Sequence, residues 1–222
     1  MYKVISFLLL SILIQAHQIF AQQKPSFGAN IGPSISNFSR ITFEDQNPLF
    51  RITSSISMRS PISKKLAIYS QLAYEKKGIK GEKLGVLDSS AIILIDEVVP
   101  ITKYNYLTLP VVLEYSIGEK FKYSIGLGAY AAYLIRVKDI LDYDKAGRKT
   151  SIRRDFRFLN RFDFGLTASA NVMYPLTDKL AINVNLLHNR GLNSVVEKEF
   201  SLKSVYHRST NLLFGINYSF SN

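Results

Sequence analysis

Residues 211–220 read Asn-Leu-Leu-Phe-Gly-Ile-Asn-Tyr-Ser-Phe, and apolar residues alternate with polar or small ones along this segment. The even positions from Leu212 to Phe220 are all apolar or aromatic, whereas the odd positions from Asn211 to Ser219 are mostly polar or small. A period of two over this length predicts a β-strand with one apolar and one polar face. Residues 162–174 and 180–186 alternate in the same way.

The same test predicts five further strands, at residues 27–37, 50–60, 66–77, 104–117 and 121–136. Each of these five has at least the roughly 9 to 11 residues that a tilted strand needs to cross a membrane. Strands of soluble proteins are usually about 5 to 6 residues long. Eight strands with one polar face therefore predict an all-β fold, an eight-stranded antiparallel transmembrane β-barrel, because a sandwich would turn its polar faces outward to water.

The connections between the predicted strands alternate between short and long. Residues 61–65, 118–120 and 175–179 are short turns rich in Pro, Gly, Ser, Asp and Lys, whereas residues 39–49, 78–103, 137–160 and 193–206 are longer. Short periplasmic turns and long extracellular loops are typical of outer-membrane barrels. Outward-facing aromatic residues near both ends of the strands predict two interfacial girdles. At the periplasmic end these are Phe27, Tyr115, Phe121, Tyr123, Tyr174, Tyr218 and Phe220, and at the other end Phe50, Tyr74, Tyr133 and Phe162.

The N-terminus predicts export. Lys3 is followed by a largely apolar run from Val4 to Ile14, and a small residue, Ala21, ends the next polar stretch. These regions, in this order, are typical of a cleaved secretory signal peptide. We expect residues 1–21 to be the signal peptide, residues 22–222 to be the barrel domain, and the protein to lie in the outer membrane. A retained membrane anchor is the less favoured alternative, because the apolar run is shorter than the roughly 20 residues of a spanning helix.

Composition agrees with this prediction and excludes several kinds of site. The mean hydropathy is +0.05 although 47% of the residues are hydrophobic, as expected where lipid-facing and lumen-facing residues alternate. There is no cysteine, which excludes disulfides, thiolate metal sites and a lipid-modified N-terminal cysteine. The net charge of +11 indicates contact with a polyanion or an anionic surface.

Several segments resemble PorT-like outer-membrane β-barrel proteins. These segments are residues 106–110 (Tyr-Leu-Thr-Leu-Pro), 126–130 (Gly-Leu-Gly-Ala-Tyr), 161–165 (Arg-Phe-Asp-Phe-Gly), 191–193 (Gly-Leu-Asn) and 215–220 (Gly-Ile-Asn-Tyr-Ser-Phe). The resemblance covers essentially the whole mature chain and implies an eight-stranded barrel in the outer membrane. It implies little about activity, although one branch of the family serves type IX secretion. The chain departs from the usual barrel-assembly signal because Ser221 and Asn222 follow the last aromatic residue, Phe220.

A basic segment in the third long loop is the first candidate binding site. Its cationic residues are Lys145, Lys149 and four arginines, Arg148, Arg153, Arg154 and Arg157, against one acid, Asp155. Arginine pairs with phosphate in bidentate fashion, so we expect contact with outer-membrane lipid and lipopolysaccharide. A protein partner at the extracellular loops is the alternative. The apolar residues 91–95 and 98–101 either extend strands three and four as a hairpin above the membrane or form an exposed contact patch.

A lumen ion pair between Arg51 and Glu75 follows from the expected register. If the turn after strand two places Ser60 opposite Leu66, Arg51 lies opposite Glu75, and both point inward. A charge in a narrow lumen needs a partner, because an unpaired buried charge costs several kcal/mol.

No motif predicts an enzyme, a cofactor or a metal. Residues 126–131 fit a loose G-x-G-x-x-A nucleotide fingerprint, but no helix pattern follows. A catalytic triad of Ser, His and Asp at the extracellular rim would have to use His188 or His207 with Ser194, Ser209 and Asp163. No nucleophile motif accompanies these residues.

The sequence thus predicts a small non-enzymatic outer-membrane barrel that acts in envelope integrity or surface interaction, is too narrow for a general pore and binds no nucleic acid. Two alternatives stay open: an accessory component of a secretion machine, and an outer-membrane enzyme of lipid or peptide hydrolysis.

Overall fold

The computed structural model describes residues 25–39, 47–87, 94–143, 149–153, 159–196 and 204–220. The predicted signal peptide lies outside them. The regular elements in these ranges are ten β-strands: β1 (Ser26–Ser39), β2 (Asn47–Pro61), β3 (Leu66–Lys80), β4 (Leu84–Leu87), β5 (Leu94–Ile117), β6 (Lys122–Tyr143), β7 (Lys149–Arg153), β8 (Phe162–Pro175), β9 (Leu180–Gly191) and β10 (Tyr206–Ser219). Among the described residues, no helix is long and apolar enough to cross a membrane.

Eight of these strands form a closed ring, as the sequence predicts. The order is β1, β2, β3, β5, β6, β8, β9 and β10, and β10 pairs with β1 to complete the circle. All neighbouring pairs are antiparallel. Closure leaves no strand edge in the ring, which a membrane requires because no water is there to bond free backbone groups.

The period-two pattern places apolar side chains on the outside and polar side chains in the lumen. Leu127 on β6 is 74% exposed and Ile216 on β10 is 58% exposed, whereas Asn211 and Thr167 are at most 2% exposed. Both aromatic girdles lie where they were predicted. Within them, the rings of Phe121 and Tyr174 are 4.9 Å apart at the periplasmic end, and those of Tyr133 and Phe162 are 5.2 Å apart at the other end.

The register between β2 and β3 differs from the prediction. Ser60 pairs with Ile68 rather than with Leu66, and the pairing shifts again between Pro48 and Ser54. The turn is the cause, because the amides of Ile62 and Ser63 both donate to the Leu66 carbonyl, at 2.8 and 3.0 Å. Leu66 thus closes the turn, and the paired strands begin at Ala67.

The extracellular ends of β5 and β6 extend beyond the ring. These two strands pair from Ile117 and Tyr123 at the periplasmic turn to Val98 and Tyr143 at the far end. The short strands β4 and β7 flank this extension, because β4 pairs with β5 and β7 pairs with β6. Of the two alternatives for this segment, residues 98–101 follow the first, since they lie in β5 and β4 pairs with the far end of that strand; residues 91–93 lie outside the described residues.

Candidate functional site

A buried ionic network fills the upper lumen. Lys77 on β3 lies with its Nζ 3.0 Å from Asp163 Oδ2 on β8 and 3.6 Å from Glu75 Oε2. Its side chain is fully buried, and those of the two acids are at most 3% exposed. β3 and β8 are not neighbours in the ring, so Lys77 and Asp163 meet across the interior.

Hydrogen bonds complete the shell of both carboxylates. Glu75 Oε1 accepts from Ser209 at 2.6 Å and from Asn211 at 2.8 Å, and its Oε2 accepts from Thr108 at 2.8 Å. The hydroxyl of Tyr130 donates to both oxygens of Asp163 at 3.1 Å. A buried charge is tolerated only when it is paired and hydrogen-bonded in this way.

Aromatic residues pack against the network. The Lys77 ammonium lies 5.0 Å from the ring centroids of both Tyr106 and Tyr130. The Tyr106 hydroxyl is 3.0 Å from His207 Nε2, and the imidazole stacks on Phe38 with their centroids 4.6 Å apart. The lumen is thus packed with side chains at this level.

A second lumen ion pair lies toward the periplasmic end. Arg59 Nε on β2 is 2.8 Å from Glu114 Oε2 on β5, and its Nη2 is 3.4 Å from Oε1. The guanidinium also lies 5.1 Å from the centroid of the Tyr69 ring.

The predicted ion pair between Arg51 and Glu75 is wrong, because each of these residues has a different partner. Glu75 forms its ion pair with Lys77, whereas Arg51 Nη2 donates to Asn105 Oδ1 at 3.4 Å. The register set at the turn is the physical reason: Ser60 pairs with Ile68, and the same register carried along the strands places Arg51 opposite Lys77 instead of Glu75 before the pairing shifts again between Pro48 and Ser54. The requirement that Glu75 have a cationic partner nevertheless holds.

The two histidines do not form a rim triad. His207 is buried in the lumen, whereas His188 is exposed on the opposite face of the barrel wall and bonds to Thr210 Oγ1 at 2.9 Å. Ser209 donates to Glu75, and Asp163 is bound to Lys77. Among the described residues there is also no group of three side chains that could hold a metal ion.

Cationic side chains lie on the outside of five of the eight ring strands, near their extracellular ends. We call this set the cationic belt; it comprises Lys76 on β3, Lys103 on β5, Arg136 and Lys138 on β6, Arg190 on β9 and Arg208 on β10. Two pairs in the belt carry like charges directly opposite each other: Lys103 with Lys138, and Arg190 with Arg208. Like charges in this position destabilise a sheet unless an anion lies between them.

Electrostatics at the extended hairpin agree with an excess of positive charge. Lys103 lies beyond the membrane-spanning part of β5, and its pKa is lowered, first by burial and then by the positive charges of Arg51, Lys138 and Lys149. Sequence reasoning missed the belt because its members are far apart along the chain. Two features of these residues can be read from the sequence: the alternation places each on the outward face, and each lies near the end of a predicted strand.

The predicted basic loop falls largely outside the described residues. Lys145, Arg148, Arg154 and Arg157 are not described, whereas Lys149 and Arg153 lie in β7. The ammonium of Lys149 lies 2.9 Å from Asp142 Oδ2, so one cation of the loop is already paired. The backbone of Arg153 lies opposite Lys138, which places this end of the loop beside the cationic belt.

Comparison with known proteins identifies the barrel at the level of a family. Residues 20–197 match the model of the outer membrane protein beta-barrel domain. A search of curated protein sequences found no match.

Similar solved structures are small outer-membrane proteins. The chain is 14% identical to the attachment invasion locus protein Ail of Yersinia pestis, covering 90% of this chain and 100% of that one, with a TM-score of 0.42. It is 14% identical to Neisserial surface protein A, covering 88% and 97%, with a TM-score of 0.46. It is 11% identical to OprG of Pseudomonas aeruginosa, covering 90% and 98%, with a TM-score of 0.48.

Proposed function

The chain belongs to the outer membrane protein beta-barrel family, and from this premise we propose that it is a non-enzymatic barrel whose extracellular end binds the phosphates of lipopolysaccharide. In this role the protein would cross-link surface lipids and support the integrity of the envelope. We also infer that it is a PorT-like member of this family, since residues 106–110, 126–130, 161–165, 191–193 and 215–220 resemble that subfamily.

The cationic belt is the observation that carries the proposal. Its side chains point outward near the extracellular ends of their strands, in the same half of the barrel as the girdle formed by Phe50, Tyr74, Tyr133 and Phe162. The side chains of Arg190 and Arg208 form no hydrogen bond or ion pair with a described residue. Two adjacent guanidinium groups match the bidentate geometry of phosphate.

The packed lumen supports a role at the surface rather than in general transport. Lys77, Glu75 and Tyr106 are at most 1% exposed, and they occupy the interior of a ring of eight strands. A barrel of this size is just wide enough for its side chains to fill. We infer that the lumen is a structural core, and that activity resides on the outer wall and in the loops.

Binding of purified lipopolysaccharide to the refolded protein tests the proposal. We expect Arg190→Gln/Arg208→Gln to weaken binding about three- to tenfold, since each exposed ion pair is worth about 0.2 to 1 kcal/mol. Lys120→Gln/Lys179→Gln, at exposed lysines of the periplasmic turns, is the matched control and should leave binding unchanged.

Three further results would discriminate between the remaining functions. Lipid A without its phosphates should bind weakly, because the belt recognises charge. Retention of a single protein partner with no affinity for lipopolysaccharide would instead favour the secretion accessory. Turnover of lipid or peptide by the refolded protein would favour the enzyme.

A further inference from the structure

A cavity opens at the periplasmic mouth of the lumen, at the end opposite the cationic belt. Its volume is about 330 Å³, which lies at the lower end of the roughly 300 to 1,000 Å³ typical of small-molecule sites. Lumen-facing residues at the ends of β2, β5, β6 and β8 line it together with the turn between β2 and β3. The cavity is therefore open to soluble periplasmic compounds rather than to the lipid face.

The lining carries four cationic side chains. They are Arg59 at the inner end and Lys64, Lys65 and Lys122 at the opening. The three lysines are exposed, and none forms an ion pair with a described residue. The hydroxyls of Ser116 and Ser124, 2.8 Å apart, lie on the wall.

Among the residues that the structure describes, one carboxylate in the neighbouring lumen offsets this charge. Glu114 lies behind Arg59 and binds its Nε and Nη2, so the Nη1 group lies outside the ion pair. One negative charge against four positive charges leaves the cavity with a net excess of about three. A single carboxylate would neutralise only part of this excess, whereas a phosphate monoester carries about −1.5 to −2 at pH 7 and three acceptor oxygens.

We propose that this cavity binds a small phosphate monoester from the periplasm. The phosphate would lie among the ammonium groups of Lys64, Lys65 and Lys122, with serine hydroxyls as further donors. The organic part would lie against the apolar side chains of Ala67 and Met173, which also line the cavity. This site is independent of lipopolysaccharide binding, because the two sites lie at opposite ends of the barrel.

Titration with glycerol 3-phosphate tests this site. The mature protein, residues 22–222, would be refolded into nanodiscs of zwitterionic phosphatidylcholine and titrated calorimetrically, with glycerol as the uncharged control. We expect saturable binding that Lys64→Gln/Lys122→Gln weakens about tenfold, since two exposed charge pairs are lost. Lys120→Gln/Lys179→Gln removes two lysines of the other periplasmic turns that do not line the cavity, and it should bind as the unmodified protein does.

Repeating the titration in phosphatidylglycerol nanodiscs distinguishes a soluble phosphate from a lipid headgroup. Glycerol 3-phosphate should still bind there, because the cavity opens into the lumen. Three outcomes would overturn the proposal: no saturable binding, equal weakening by both double variants, or loss of binding in phosphatidylglycerol. Heat-dependent gel mobility of each variant would establish that its barrel is folded.

Discussion

Replacing Lys77 by methionine should strongly destabilise the barrel. The ammonium is the cation shared by Glu75 and Asp163, at 3.6 and 3.0 Å, and methionine keeps much of the side-chain volume without the charge. Removing one partner of a buried ion pair costs about 3 to 5 kcal/mol, because the remaining charge is left unpaired. Glu75 keeps its bonds from Thr108, Ser209 and Asn211, so we expect the lower half of this range.

The free energy of unfolding in urea, measured for protein in lipid vesicles, provides the test. The control is Lys83→Met, which breaks an ion pair of similar length (3.2 Å to Glu97) whose side chains are 57% and 39% exposed. An exposed pair contributes about 0 to 1 kcal/mol, so this change should be small. The double variant Lys77→Met/Asp163→Asn should lose less than the sum of the single variants. A loss for Lys77→Met no larger than that for Lys83→Met would refute the account of the lumen.

Three further predictions concern insertion, closure and the basic loop. Val184 is 40% exposed on the lipid-facing side of β9, so Val184→Arg should make folding into the membrane less favourable by about 2 to 4 kcal/mol in folding titrations. Leu192→Arg, just past the end of that strand, should make it less favourable by about 0 to 1 kcal/mol. Equal costs would contradict the assigned depth. A side chain on Gly32 would collide with the Leu212 carbonyl where β1 meets β10. Gly32→Val should therefore reduce the folded fraction seen by heat-dependent gel mobility, and unchanged mobility and yield would argue against this tight closure. Neutralising Arg153, Arg154 and Arg157 together should weaken lipopolysaccharide binding and its salt dependence, since exposed charges are screened over about 8 to 10 Å. An unchanged affinity would exclude the loop from lipopolysaccharide binding.

The alternation of single residues was sufficient to predict the eight strands of the ring. Each strand has one face toward lipid and one toward a polar lumen, so the pattern repeats locally and needs no knowledge of distant contacts. Residues 211–220 illustrate this, because Phe214 and Ile216 are exposed outward and Asn217 is buried inward, as the sequence indicates. The far ends of β5 and β6 lie beyond the membrane, so the alternation there did not predict where the two strands end.

The contacts within the lumen required the closed structure. The odd or even position of a residue along a strand determines which face of the sheet it occupies. A register shift of two residues leaves every side chain on the same face. The sequence therefore fits Ser60 opposite Leu66 and Ser60 opposite Ile68 equally well. The Lys77–Asp163 contact crosses the barrel between strands that are not neighbours. No spacing along the chain encodes such a contact, because it depends on how the ring closes.

The distance between the arginine guanidinium carbons and the phosphorus atoms of lipopolysaccharide tests the proposed function most directly. Solid-state NMR of the arginine-labelled protein in lipopolysaccharide bilayers measures it through the ¹³C–³¹P dipolar coupling. Bidentate pairing has N···O distances near 2.7 to 2.9 Å, so we expect carbon–phosphorus distances of about 4 to 5 Å. These couplings should diminish in Arg190→Gln/Arg208→Gln. Full intensity in that variant, or no coupling in the unmodified protein, would contradict phosphate binding by the belt.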